Sequence, residues 1–279
     1  MATATPGLVR KIREDSHGLD LLILLLPVGS MIGLFAAPTA IRQAAVFAHT
    51  RPTLVAAFST HYAHLTQSHL IDNLLIYGLV VPTTYVLSVM ADRRQLYFVV
   101  LLTFLVVFPF VLTASSFVIV RRGTLTGFSA IGMAFGGFLP VVLTRYLDQQ
   151  FRGPIDISQS PGLFFLGLSV VAYLTVPVQR FRLPLVGVTA LIGIAYLWRP
   201  FQEINRSRRG TVFGVTAKGG YVELVVFSLL AYVIALVVGF HPPSDTGATV
   251  VNLYLQFLGF SFGFIGSYIT FRVDRRLEM

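Results

Sequence analysis

The stretch LTGFSAIGMAFGG, residues 125–137, places a serine two residues after a glycine within a run of apolar and small side chains. In the whole chain of 279 residues, 55% are hydrophobic, 12% are charged, and the mean hydropathy is +0.76. An ordinary soluble domain carries about 25% charged residues. The composition therefore predicts an integral membrane protein, and it raises the question of what Ser129 does inside one.

A helix of about 20 apolar residues is long enough to cross a hydrocarbon core of ~30 Å. Eight apolar runs meet this requirement, at 21–38, 69–91, 96–120, 125–144, 161–177, 183–198, 221–240 and 249–271. The fifth and sixth are short and are bordered by prolines, so a re-entrant or tilted pair is an alternative to two full crossings. We expect an all-α, polytopic transmembrane helix bundle.

The connections between these runs are too short for a soluble domain. The longest, at about 39–68 and 199–220, leave room only for a small interfacial subdomain. We therefore expect residues 1–279 to form one domain. Its first run follows a basic stretch, as a signal peptide would, but it is longer than a usual signal core, which favours a retained helix.

The positive charges indicate the orientation, because Lys and Arg concentrate in cytoplasmic segments. With both termini inside, segments 1–20 and 199–220 are cytoplasmic, and 15 of the 21 basic residues lie inside. The six outside are Arg42, Arg51, Arg121, Arg122, Arg180 and Arg182. The formal charge of +9 is spread in clusters between apolar runs and forms no continuous basic face, so we expect no nucleic-acid partner. The absence of cysteine excludes disulfides and thiolate metal sites.

Three predicted spans that descend from the outside carry polar residues near their outer ends. His69 and Asn73 lie four apart, on one face of the second span, with His64 just before it. Ser129 lies in the first turns of the fourth span, and Gln256 about two turns into the eighth. Polar positions from distant parts of the chain therefore share one depth.

This order of motifs resembles the rhomboid family of intramembrane serine proteases. The matching residues are His69 and Asn73, then Gly127 and Ser129, then Gln256 with Gly259 and Gly263. The stretch FSTHYAHLTQSH, residues 58–69, is similar to the histidine-rich approach to the family's second span. The chain departs from the pattern in having Ala130 where the family usually has glycine, and two additional spans before the last. It also has Gln256 at the position of the catalytic histidine.

The resemblance implies that Ser129 is the nucleophile and that the side chains of His69 and Asn73 stabilise the oxyanion together with the serine backbone N–H. The amide of Gln256 cannot accept a proton near neutral pH. Removing the base of a serine protease costs on the order of 10⁴ to 10⁶ in turnover. The sequence thus predicts a rhomboid scaffold that has lost, or nearly lost, proteolysis.

Other interpretations of the same residues stay open. His69 is an alternative base, whereas His17 is cytoplasmic and His49, His61 and His241 belong to outer loops, where a solvated or interfacial side chain is the simplest interpretation. Asn73 also suits an interhelical hydrogen bond, and Asp72 is interpreted as structural. Gly132 and Gly136 form a small-xxx-small pair on the side of Ser129, matched by Gly259 and Gly263 on the last span.

The expected function is to bind transmembrane segments of client proteins within the lipid bilayer of a prokaryotic plasma membrane, without cutting them. The alternatives are an active rhomboid protease that uses Ser129, and an unrelated transporter or channel. A transporter would show paired ionisable residues at mid-membrane or mirrored halves, which the sequence lacks. No metal, nucleotide or other cofactor motif is present, so we expect no cofactor.

Overall fold

The computed structural model describes residues 7–119, 123–151, 155–207, 220–241 and 246–277. The first half contains α1 (Leu8–Asp15), α2 (Gly18–Ala36), α3 (Thr39–Ala44), β1 (Phe47–Ala48), α4 (Leu54–Ser59), α5 (Gln67–Met90), α6 (Arg94–Leu102), α7 (Phe108–Ser116) and β2 (Thr124–Leu125). A π-helical turn, Thr103–Val107, joins α6 to α7. The second half contains α8 (Ser129–Phe151), α9 (Ser160–Thr175), α10 (Gln179–Ser207), α11 (Tyr221–Gly239) and α12 (Thr246–Leu277).

Within these described ranges, eight helical segments are long and apolar enough to cross a membrane. They are Gly18–Ala36, Gln67–Met90, Arg94–Ser116, Ser129–Phe151, Ile157–Thr175, Gln179–Trp198, Tyr221–Gly239 and Asn252–Asp274. The predicted helical bundle, with eight helices able to span a membrane, is confirmed, and the protein is an integral, multi-pass membrane protein. The fifth and sixth segments, of 19 and 20 residues, are each long enough for a full crossing.

The start of the fourth span differs from its predicted bounds of 125–144. The helix begins at Ser129 and continues to Phe151, while Thr124 and Leu125 form a strand. The backbone of Gly127 has a φ of +105°, which is incompatible with a right-handed helix. Ser129 is therefore the first residue of α8 rather than a residue within its early turns.

Helix α8 forms the centre of the bundle, because every residue from Ser129 to Tyr146 is buried. Helices α5 and α12 make its most extensive contacts, and α11 packs against both α5 and α8. Helix α10 packs chiefly against α9, which in turn contacts α8 and α11. Helices α9 and α10 therefore form a hairpin at the edge of the bundle.

The connection predicted at 39–68 is a small subdomain, as expected. It contains α3, β1 and α4, and β1 pairs antiparallel with β2 in the register Phe47 to Leu125 and Ala48 to Thr124. The other long connection, predicted as a loop at 199–220, begins as helix instead, because α10 continues through Ser207. Residues 208–219 lie outside the described part of the chain.

A buried carboxylate joins three helices at the end of the bundle where α2 begins and α5 ends. Asp20, at the start of α2, accepts hydrogen bonds from the Tyr85 hydroxyl of α5 at 2.5 Å and from Nε of Arg94 at 2.7 Å. The same guanidinium forms an ion pair with Asp20, which is only 2% exposed. These contacts attach the first span to the second and third, and they neutralise a charge that would otherwise be costly to bury.

Candidate functional site

A cavity of about 310 Å³ lies at the end of the bundle where α5, α8 and α12 begin and α11 ends. Its lining includes the four residues predicted from the sequence to act together, Ser129, His69, Asn73 and Gln256. The remaining lining residues are Thr66, Ser68, Asp72, Ile76, Val238, Gly239, His241 and Asn252. The expectation that these distant polar residues share one depth therefore corresponds to a real shared cavity.

Gly127 brings the histidine of α5 next to the start of the serine helix. A Cβ atom at Gly127 would overlap the imidazole of His69, lying 2.5 Å from its Nε2, and would be 3.4 Å from Nδ2 of Asn73. The positive φ of Gly127 is also a conformation that side-chain-bearing residues rarely adopt. Glycine is therefore required here both for the turn into α8 and for the close packing of His69.

The backbone before Ser129 is fixed by the subdomain that precedes α5. The N–H of Gly127 donates to the carbonyl of Thr60 at 2.9 Å, and the Thr60 hydroxyl donates to the carbonyl of Leu125. The same hydroxyl accepts a hydrogen bond from the N–H of Phe47 at 3.1 Å. Thr60 thus holds β1, β2 and the Gly127 turn together and sets the position of Ser129.

Asn73 is fully enclosed, and its neighbours determine how its amide is oriented. Its Nδ2 donates to the carbonyl of His69 at 2.9 Å and to Nε2 of His64 at 2.8 Å. His64 accepts that bond because its other ring nitrogen, Nδ1, donates to the carbonyl of Tyr62 at 3.1 Å. Both N–H groups of Asn73 are therefore engaged, and its Oδ1 is buried without a hydrogen-bond partner among the described residues.

Two further histidines that were expected in solvated or interfacial positions, His49 and His61, are buried instead. His49 bonds to the carbonyl of Gly123 and to the hydroxyl of Ser116, and Nε2 of His61 bonds to the carbonyl of Pro109 at 3.0 Å. Both rings therefore attach to α7, through Ser116 and Pro109, and His49 also bonds to the residue just before β2. Burial lowers the pKa of His61 to about 4, and burial with the neighbouring His69 lowers the pKa of His64 to about 4.

The last helix approaches the serine helix at backbone distance. A Cβ at Gly259 would overlap the carbonyl oxygen of Ala130, and a Cβ at Gly263 would lie 2.6 Å from Cα of Ala134. The two glycines therefore fit against α8 as the sequence predicts, and they leave no space for a side chain. Gln256, one turn before Gly259, is held beside the first turn of α8.

The surface of α8 that packs against the last helix is only partly the one expected. A Cβ at Gly132 would meet Ile76 of α5 at 2.9 Å, and a Cβ at Gly136 would meet Met133 of its own helix at 3.1 Å. Residues two apart point about 200° apart on a helix, so Gly132 faces away from the side that Ala130 presents to α12. The predicted contact with the last span is therefore wrong for Gly132, whereas a Cβ at Gly136 would also lie 3.9 Å from Phe260 of α12. The residues of α8 that Gly259 and Gly263 meet are Ala130 and Ala134.

Gln256 is 9% exposed, and its Oε1 has no hydrogen-bond partner within the described ranges. An amide at this position can donate and accept hydrogen bonds, but it cannot remove the proton from the Ser129 hydroxyl. Since both N–H groups of Asn73 are engaged, that side chain has no free donor for an oxyanion, and its buried Oδ1 is the group left without a partner among the described residues. The arrangement suits binding better than acyl transfer.

The sequence assigns none of the other eight lining residues to the site, and three of them carry groups that bear on its chemistry. Asn252 lies four residues before Gln256 and so shares its helix face, a signal that was available. Asp72 was interpreted as structural, yet it lines the cavity beside Asn73. His241, which follows α11, was assigned to a loop, and only the fold shows that α11 ends at the cavity.

The fold and the site together define a multi-pass helical membrane protein with a polar cavity at one end of its bundle. Among the residues placed by the structure, no group of three or more His, Asp or Glu side chains is arranged to hold a metal ion. Comparisons with family models, with curated proteins and with solved structures find no match to this chain.

Proposed function

We propose that this protein is a rhomboid-like membrane protein that binds transmembrane segments of client proteins and has lost efficient proteolysis. The observation that carries the proposal is the single cavity lined by Ser129, His69, Asn73 and Gln256. Three helices distant in sequence contribute these residues, in the order of the rhomboid motifs. The loss of cleavage is supported by the amide at Gln256 and by the engaged N–H groups of Asn73.

The proposal includes an orientation with both termini in the cytoplasm of a prokaryotic cell, supported by the 15 of 21 basic residues on that side. In this orientation the cavity lies in the outer half of the bilayer. A client segment would reach it between helices, with part of its backbone unwound, because unpaired backbone groups are tolerated only where protein or water satisfies them.

A specific observation favours active proteolysis as the second candidate. Two histidines, His69 and His241, line the cavity together with Ser129, and an imidazole can act as a general base. In that case Ser129 is the nucleophile and Gln256 has a supporting role.

The two candidates are separated by fluorophosphonate labelling and reporter cleavage with purified protein in lipid nanodiscs. The variants are wild type, Ser129→Ala and Gln256→His. We expect wild type to be silent and Gln256→His to gain labelling that requires Ser129. Labelling and cleavage by wild type, both abolished in Ser129→Ala, would establish the active protease instead.

Client binding is tested by a photo-crosslinking amino acid at Ser68, an exposed residue that lines the cavity. The matched control carries it at Leu191, which is 67% exposed on α10. We expect transmembrane segments to be captured from position 68 in preference to position 191. Equal capture from both positions, or none from position 68, would refute binding at the cavity.

A further inference from the structure

Two of the residues that line the cavity have a buried hydrogen-bond acceptor without a partner among the described residues. Asn73 uses both N–H groups within the protein, on the His69 carbonyl and His64 Nε2, which leaves Oδ1 as its free function. Gln256 likewise has a buried Oε1 without a partner among the described residues. Burying an acceptor without a partner is unfavourable, so both oxygens favour an occupant that can donate hydrogen bonds.

The charges around the cavity also favour an occupant that donates hydrogen bonds. The chain contains 21 Lys and Arg residues, yet none of them is among the residues that line this cavity. The lining does contain the carboxylate of Asp72, which forms no salt bridge with any residue that the structure describes. The cavity of a strongly basic protein is therefore locally acidic.

We propose that this cavity binds a protonated primary amine. An ammonium group has three N–H donors and no acceptor, which matches the carboxylate of Asp72 and the amide oxygens of Asn73 and Gln256. An anion would be repelled by the carboxylate of Asp72. If the proposed function holds, on which this step rests, the amine belongs to the client, as a lysine side chain or a free N-terminus near the end of its span.

The direct test is binding of n-butylammonium to the purified protein in nanodiscs of zwitterionic lipid, by saturation-transfer NMR. The matched probes are n-butanol and butyrate, which keep the carbon chain and change the head group. We expect n-butylammonium to bind at least tenfold more tightly than either, as one charged hydrogen bond predicts. Equal binding of butylammonium and butanol to the wild type would overturn the proposal without any variant.

Two variants test the assigned groups. Asp72→Asn removes the charge and is expected to weaken butylammonium binding roughly tenfold, whereas Gln256→Glu adds a carboxylate and is expected to strengthen it. The control is Glu14→Gln, which removes an exposed carboxylate at the opposite end of the bundle. If Asp72→Asn and Glu14→Gln leave the affinity equally unchanged, the assignment to this cavity is wrong.

A pair of synthetic transmembrane peptides, one with lysine and one with norleucine at the outer end, distinguishes this inference from the proposed function. Their capture by the crosslinker at position 68 is compared. Preferential capture of the lysine peptide supports both proposals, and equal capture supports client binding but overturns the amine preference. Butylammonium binding without capture of either peptide retains the amine site and refutes the client-binding function.

Discussion

At the scale of single residues, the site depends on Gly127. The φ of +105° and the ring of His69 each exclude a side chain at this position. We expect Gly127→Ala to lower the free energy of unfolding by roughly 1–3 kcal/mol, through backbone strain and overlap with His69. The measurement is thermal or denaturant unfolding in nanodiscs, with Gly78→Ala as control, because a Cβ at Gly78 meets nothing within 4 Å.

The effects of backbone strain and of overlap with His69 can be separated by combining Gly127→Ala with His69→Ala. Removing the imidazole relieves the overlap but leaves the backbone conformation unfavourable for alanine, so we expect partial recovery relative to the sum of the single effects. Strictly additive effects would show that His69 does not pack against Gly127.

Two buried histidines determine how the stability of the protein responds to acid. His61 and His64 lie outside the spans, and burial lowers the pKa of each to about 4, against about 6.5 in an unfolded chain. Below pH 6.5 the unfolded state takes up protons that the folded state refuses, so stability falls between pH 6.5 and 4, by up to about 1.4 kcal/mol per pH unit for each histidine. We expect the unfolding temperature to fall from pH 7.5 to pH 5, and less steeply in His61→Gln. An unchanged pH dependence in that variant would contradict the buried, neutral state of His61.

At the scale of elements, the contact between α8 and α12 holds the two halves of the site together. A Cβ at Gly263 would meet backbone atoms of Ala134, and backbone cannot move aside as a side chain can. We expect Gly263→Ala to destabilise the protein by about 1–3 kcal/mol, as overpacking does, and to separate Gln256 from Ser129. Gly266→Ala, on the same helix but with nothing within 4 Å, is the matched control and should leave stability unchanged or slightly raised. Similar losses in both variants would exclude close packing as the cause.

The individual helices also show which features of the fold can be predicted from the sequence. Apolar runs predict the eight spans, because the need to bury backbone polar groups in lipid leaves few alternatives to long helices. The start of α8 was misplaced by four residues, since Gly127 adopts a conformation that only the contacts with Thr60 and His69 impose. The glycine pattern of α12 was informative because glycine marks close approach, whereas the facing residues, Ala130 and Ala134, look like ordinary helix formers.

At the scale of the whole molecule, the cavity forms where four helices meet. Some of its lining residues can be predicted from local sequence spacing, and others are brought there only by the fold. His69 with Asn73 and Asn252 with Gln256 are four apart, so each pair shares a helix face that sequence alone reveals. No local pattern tells that His241 closes the same cavity, or that both N–H groups of Asn73 are used within the protein. Those facts depend on the path of the chain through α11 and through the subdomain before α5, and the second of them leaves Asn73 without the free donor that the sequence predicts.

The path of the whole chain through the bilayer is tested by single cysteines, since the natural sequence has none. Arg10, Arg51 and Gln202 are exposed. With cytoplasmic termini and eight crossings, we expect a membrane-impermeant maleimide to label Arg51→Cys in intact cells, and Arg10→Cys and Gln202→Cys only after permeabilisation. Labelling of both Arg10→Cys and Gln202→Cys in intact cells, without labelling of Arg51→Cys, would indicate the reverse orientation. Labelling of Gln202→Cys together with Arg51→Cys would mean that α9 and α10 do not both cross. The start of α12, with Gln256, lies on the same side of the membrane as Ser129 only if α9 and α10 both cross or neither crosses, because a single crossing by this pair would reverse the orientation of the last two spans.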